Sequence, residues 1–226
     1  QVVSRQRVID HGEVLTGSRE VNAMLDLVKP ETERIDSRFL EPACGTGNFL
    51  VAILERKLGV VARKYRRSQL EYERNAVLAV SSIYGIDILE GNVRDCRLRL
   101  FDLFNSAYTA LYKGRAKDAC RAAVQTILAR NILCGDALTL HTMEDWPRPI
   151  VFSEWSFPFN DSRIQRRDYV FAEMIPPDPA PGGGLLDRHQ LVSDTGKPVF
   201  IPKEMRVEPP VHFLTLGETD ADLLQS

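Results

Sequence analysis

The sequence predicts an α/β protein: a mostly parallel sheet with helices on both faces. Three observations carry this expectation. Short apolar runs of strand character alternate with longer runs of helical spacing, three of the strand-like runs end on an acidic residue, and the first leads at once into a turn with two glycines followed by a helix. Strands that alternate with helices make βαβ units, and their crossovers cover both sides of a parallel sheet.

The elements follow in order. Val21, Met24, Leu25 and Val28 share one helical face, with Ser18 placed to cap it. Phe39–Glu41 reads as the first strand. Helical spacing runs from Asn48 to about Leu58, followed by Val60–Tyr65 and the basic run Arg63, Lys64, Arg66 and Arg67. A helix is expected around Gln69–Val80, and Ile83–Asp87 is the second strand, ending on a carboxylate. Leu89 to Tyr112 is long and amphipathic, and Ala116–Ala129 is a further helix. Asn131–Cys134, followed by Gly135-Asp136, is the third strand, and Ile150-Val151-Phe152 the fourth. Residues 1–175 form the expected catalytic-type domain. Residues 176–226 hold a Pro/Gly stretch of linker composition, then a short β-rich tail with Val199–Ile201 and Val211–Leu214 as strands.

Composition narrows the function classes. The 226 residues are 44% hydrophobic and 27% charged, enough for one substantial core. A formal net charge of -2 provides no global basic field to draw the chain onto nucleic acid, though it permits a locally basic face. Cys44, Cys96, Cys120 and Cys134 show no CxxC spacing, so reduced thiols of a cytoplasmic protein are expected. The four histidines form no ligand cluster and no metal is expected; no apolar run reaches the ~18 residues of a membrane span.

The chemistry concentrates in Phe39-Leu40-Glu41-Pro42-Ala43-Cys44-Gly45-Thr46-Gly47-Asn48-Phe49-Leu50. A strand, a glycine turn and a helix start bring free backbone N–H groups and the positive end of a helix dipole to a ligand. Ligands of open α/β sheets lie outside the carboxyl ends of the strands, where Glu41, Asp87 and Asp136 stand. From the residues alone, Asp87 is equally a helix cap before Ile88, and Asp136 equally a turn residue. The string Glu-Pro-Ala-Cys-Gly-Thr-Gly-Asn-Phe-Leu resembles the first motif of the N6-adenine DNA methyltransferases of restriction–modification systems. The resemblance covers about residues 7–157. It implies a Rossmann-like methyltransferase fold and S-adenosylmethionine as cofactor. Carried over, Asp87 holds the ribose and Asp136, with Ala137, the exocyclic amine of the cofactor adenine. Glu41 approaches the methionyl ammonium, and Cys44, Gly45 and Gly47 lend backbone. Asp10–Thr16 resembles the segment that closes over the methionine end, with Thr16 as the contact and Gly17 where the family has proline. A nicotinamide-type GxGxxG fails at Leu50, which stands in place of its third glycine.

The family follows its fourth strand with Asn- or Asp-Pro-Pro-aromatic, whose acceptors engage adenine N6 and whose ring stacks on the flipped base. This chain has Glu154-Trp155-Ser156-Phe157 instead. Aligned by strand end, Glu154 takes the acceptor's place and Phe157 that of the aromatic, without the prolines; both are also ordinary strand-end residues. Arg163, Arg166 and Arg167 follow as candidate phosphate contacts for DNA, against the alternative of a solvated face. The expectation is an S-adenosylmethionine-dependent enzyme modifying DNA with a partner subunit for sequence recognition, or a cofactor-binding or scaffolding subunit of such a complex.

Overall fold

A computed structural model describes residues 16–159, 161–175, 191–192, 198–199 and 202–219. The expected Pro/Gly linker, the histidine at position 11 and most of the expected strand at 199–201 lie outside these residues.

The central sheet comes first in the chain. Helices α1 (Ser18–Asp26) and α2 (Lys29–Thr32) lead to β1 (Phe39–Glu41), and α3 (Asn48–Tyr65) and α4 (Gln69–Ser81) carry the chain to β2 (Ile83–Asp87). Helices α5 (Glu90–Tyr112) and α6 (Asp118–Asn131) carry it on to β3 (Ile132–Asp136), and β4 (His141–Thr142) follows. The four strands lie in that order; β1 and β2 pair in parallel, as do β2 and β3, while β4 returns antiparallel. The protein is thus α/β with a mixed, mostly parallel sheet. Helix α3 runs through Gly59 to Tyr65 instead of ending near Leu58: Leu50, Ile53, Leu54, Leu58 and Val61 form one buried stripe, whose packing outweighs the ~1 kcal/mol cost of an internal glycine.

The sheet's two faces are covered differently. Gly85 faces Leu50 and Cys44 on the side of α3, where a Cβ would come within 3.0 Å of Leu50. Tyr84 and Ile86 face the other way and cluster with Ile150, Phe152, Phe171 and Met174. Phe152 belongs to β5 (Val151–Ser156), which pairs antiparallel with β6 (Arg163–Val170), and Phe171 opens α7 (Phe171–Met174). The expectation of helices on both faces is therefore corrected here: a strand pair covers the face of Tyr84 and Ile86. An edge-to-face series of rings, Tyr84 to Phe152 at 5.4 Å and Phe152 to Phe171 at 5.2 Å, fills that interface. The Tyr84 hydroxyl donates to the Ser153 carbonyl at 3.0 Å.

Strand β6 occupies what reads in sequence as a basic surface run. Its buried positions alternate as Ile164, Arg166 and Asp168, so two of the three inward side chains are charged. Arg166 lies 3.2 Å from Asp168 and 3.1 Å from Glu208, and Ser153 Oγ donates to Asp168 at 2.7 Å. The remaining short strands are β7 (Leu191–Val192), β8 (Pro198–Val199), β9 (Arg206–Val207) and β10 (Val211–His212); β9 and β10 add to β6. Helix α8 (Leu216–Thr219) follows a 3-10 turn, and Phe213 and Leu216 enter the same core as α3, α4 and α6. Among the described residues no helix is long and apolar enough to cross a membrane.

Two buried charges organise the core. Glu73, fully buried, accepts from Gln69 Nε2 and Lys117 Nζ, each at 2.8 Å, and from the Tyr108 hydroxyl. Lys57, also fully buried, donates to the carbonyls of Ile35 and Ser37 and to Ser82 Oγ, which ties the entry of β1 to the end of α4. Burial lowers the Lys57 ammonium to a pKa of about 7.

Candidate ligand cleft at the glycine loop

The loop after β1 is pinned by three backbone contacts and two left-handed glycines. Cys44 N donates to Ile86 O at 2.9 Å, which holds the loop against β2, and Gly47 N closes the turn onto Cys44 O at 2.8 Å. Gly45 N donates to Asp87 Oδ2 at 2.8 Å. Gly45 has φ +52° and Gly47 φ +86°, conformations that a side chain strains. The two glycines then differ. A Cβ on Gly45 meets nothing within 4 Å, so the space beside it is open. A Cβ on Gly47 would stand 2.5 Å from Cys96 Sγ in α5. Gly47 is therefore required for packing against α5.

Beside the loop lies a cleft of about 580 Å³, within the range of small-molecule sites. It brings together Thr16, Glu41, Cys44, Gly45, Asp87, Asp136 and Ala137, seven of the eight residues the sequence assigns to a cofactor; Gly47 alone stays out of its wall. Pro42, Thr46, Asn48, Phe49, Leu89, Asn92 and Leu138 are lining residues to which sequence reasoning gave no ligand role. Asn92 is the clearest omission. Its Nδ2 donates to Asp87 Oδ1 at 3.1 Å, and Leu89 N donates to the same oxygen at 2.9 Å. Helix α5 itself starts later, with Leu89 at its N-cap position, so Asp87 is not its cap; the Asp87 carboxylate braces the turn that leads into the helix and also faces the cleft. Three donors leave it acceptor capacity for one more.

The cleft is electrostatically uneven. Glu41 is half-buried, and desolvation raises its carboxyl pKa against the opposing hydrogen bond from Ala43 N–H. Asp136, at the open rim, is held below the usual carboxylate range mainly by the Leu138 N–H, which donates to Oδ1 at 2.8 Å. The Cys44 thiol is pushed far up by its hydrogen bond with Cys96 and by burial, so it stays protonated and is no nucleophile. At the other end stand Thr16, Thr46 and Asn48, and Asn48 Nδ2 donates to Thr16 O at 3.1 Å.

The structure does not bring Glu154 or Phe157 to this cleft. Glu154 bonds with Arg38, the residue before β1, and accepts from the Tyr169 hydroxyl at 3.1 Å. It therefore lies near the N-terminal end of the strand whose C-terminal end opens the cleft. Burial and the neighbouring carboxylate raise the Tyr169 hydroxyl to a pKa of about 12. Phe157 packs edge-on to Phe213 at 6.4 Å, with the Arg74 guanidinium 5.1 Å from its ring centre. The three candidate DNA arginines each face a carboxylate of the fold: Arg163 pairs with Asp161 at 2.7 Å, Arg167 with Glu204 at 3.4 Å, and Arg166 is buried against Asp168 and Glu208.

Comparison with protein-family models, with curated proteins and with solved structures finds no match for the chain. The functional reading rests on the cleft itself.

Proposed function

We propose that this chain binds S-adenosylmethionine in the cleft at the C-terminal ends of β1, β2 and β3, as the cofactor domain of a system that methylates adenine N6 in DNA. The observation that carries the reading is the open space at Gly45, in a left-handed glycine turn directly bonded to the Asp87 carboxylate. This arrangement lets a nucleoside lie against bare backbone while one of its hydroxyls donates to a carboxylate. Asp136 at the rim offers an acceptor to an exocyclic amine, and Glu41 an anion to an ammonium. The residues fit the cofactor in kind: acceptors for ribose, amine and ammonium, and backbone N–H groups for a carboxylate. When bound, the cofactor supplies an electrophilic methyl group. This chain's residues bind and orient it, and the protonated Cys44 thiol beneath the loop does not compete as a nucleophile.

A second reading is favoured by one observation, the distance of Glu154 and Phe157 from the cleft: the chain serves as a cofactor-binding or scaffolding subunit whose adenine-N6 acceptors come from elsewhere. Isothermal titration tests the cofactor. Saturable binding of S-adenosylmethionine or its demethylated product is expected, and tight NADH binding without it overturns the reading. A methylation assay on mixed-sequence DNA separates the two forms: transfer by the isolated chain supports the enzyme, and cofactor binding with no transfer supports the subunit.

A further inference from the structure

Three side chains of α5 press on the back of the glycine loop: Asn92, Cys96 and Arg99. Their spacing of four and three residues places them on one helical stripe. Asn92 holds Asp87, and Cys96 fills the space that Gly47 leaves free. Arg99 reaches further along the loop, and its Nη1 donates to Thr46 O, to Thr46 Oγ1 at 3.1 Å and to Asn48 Oδ1 at 2.9 Å. All three acceptors are neutral oxygens.

A guanidinium has donors only, so whatever faces it must accept. The Thr46 hydroxyl, accepting from Arg99, has its own proton free to donate elsewhere. The Asn48 amide is turned with Oδ1 toward Arg99, which directs Nδ2 away from it, with one N–H on Thr16 O and the other without a partner among the described residues. Both groups are amphoteric in isolation, and both line the cleft. Arg99 thereby fixes them as donors toward the ligand. It also places a positive charge near the N-terminus of the 18-residue helix α3, where the dipole disfavours a cation. Beyond those neutral acceptors, the charge favours a negative group in the cleft.

We propose that Arg99 is a positioning residue that makes the Thr46–Asn48–Thr16 end of the cleft a donor-presenting wall, selective for the carboxylate-bearing chain of the ligand. The inference rests on the cofactor reading and adds to it which end of the ligand this wall recognises. It also gives the site a second segment, Asn92–Cys96–Arg99, beside the glycine string.

Two ligands that share the nucleoside and differ in the amino-acid end test it: S-adenosylmethionine and 5′-methylthioadenosine. Titration of the full chain with Arg99→Met should show S-adenosylmethionine affinity falling by about tenfold, the scale of one lost charge-assisted contact. Methylthioadenosine affinity should stay within about twofold. Arg99→Lys, which returns a donor without the fork, should recover part of the loss. Thr46→Val, which keeps shape and removes the hydroxyl, should repeat the ligand-selective loss even if Arg99→Met fails to fold. Equal weakening of both ligands in Arg99→Met and Thr46→Val overturns the inference, as does unchanged S-adenosylmethionine affinity in both, while the cofactor reading stands. A wild-type chain that binds neither ligand overturns both.

Discussion

Asp87 and Glu154 stand on strands of the two halves of this molecule, and their partners differ in kind. Asp87, at the C-terminal end of a parallel strand, is met by two backbone N–H groups and one amide, with no cation among these contacts. Glu154, within an antiparallel pair, is met by the Arg38 guanidinium and the Tyr169 hydroxyl, away from the cleft. The antiparallel half repeats this matching of charge with charge at Arg163, Arg166 and Arg167. A carboxylate held only by neutral donors keeps its charge available to a ligand, whereas one paired with arginine is neutralised by the fold itself. An acidic residue on a strand is therefore no evidence of a site until its partners are known.

The largest effect that would sharpen this contrast lies in the loop. Gly47→Val combines a β-branched residue at φ +86° with a Cβ that would stand 2.5 Å from Cys96 Sγ. It should cost roughly 3 kcal/mol or more in denaturant unfolding and abolish ligand binding. Gly45→Ala, strained in φ alone, should cost only about 1–2 kcal/mol. Equal costs at the two glycines would show that Cys96 yields easily and that the helix stripe does not support the loop.

The two carboxylates themselves come next. Asp87→Asn turns an amide N–H toward Gly45 N or Leu89 N, donor against donor. It should lose about 2 kcal/mol of stability and weaken S-adenosylmethionine binding measurably. Glu154→Gln keeps one acceptor oxygen for the half-exposed Arg38 and offers an amide N–H that the Tyr169 hydroxyl can accept, so it should lose ~1 kcal/mol or less, with ligand affinity unchanged. A Glu154→Gln chain with impaired ligand binding would break the comparison, because it would couple the antiparallel half to the cleft.

The sequence carried the parallel half well and the antiparallel half poorly, for a physical reason. Strand, glycine turn and helix start are local patterns, so Phe39–Gly47, Ile83–Asp87 and the cleft residues at their ends are legible from neighbours alone. Strand β6 escapes notice because a period-2 strand is recognised by apolar inward positions, and here Arg166 and Asp168 fill two of them as an ion pair. The surroundings of Glu154 are not legible because its partner Arg38 is remote in sequence and no local pattern predicts the pairing. The alternation of strands and helices suggests one sheet with helices on both faces, whereas the strand of Phe152 packs its ring on Tyr84 and covers one of those faces. Arg99 was missed although Asn92, Cys96 and Arg99 already fall on one helical stripe. The stripe is recognisable only once Gly47 is seen against Cys96.

The contrast extends to buried cations. Lys57 is held only by neutral oxygens, with a pKa lowered by burial to about 7. In the unfolded chain a lysine titrates near ~10.4. Between those values the unfolded state binds a proton that the folded state has released, so the Lys57 contribution makes stability rise with pH from about 7 upward. Above about pH 8 the raised pKa values of Cys44, Cys120, Tyr72 and Tyr84 act in the opposite direction. The informative quantity is therefore the difference between wild type and Lys57→Met. The wild type should gain about 1 kcal/mol relative to the variant from pH 7 to pH 8. A difference that does not change with pH would mean that the carbonyl cage keeps Lys57 charged.

The smallest effect compares two tyrosines of the helical core, stacked at 6.1 Å with ring planes 8° apart. The Tyr108 hydroxyl donates to Glu73 and accepts Lys117 N at 2.9 Å. The Tyr72 hydroxyl is buried with no hydrogen-bond partner among the described residues. Removing a satisfied hydroxyl strands the groups left behind, whereas removing an unsatisfied one takes away a desolvation cost. Tyr108→Phe should destabilise by about 1–2 kcal/mol, while Tyr72→Phe should be neutral or stabilise by up to about 1 kcal/mol. The rings stay in place in both variants, so thermal or denaturant unfolding isolates the hydroxyls. If Tyr72→Phe destabilises as much as Tyr108→Phe, the Tyr72 hydroxyl has a partner in solution, a bound water being the simplest, and burial alone is then a poor guide to which polar groups of this core contribute stability.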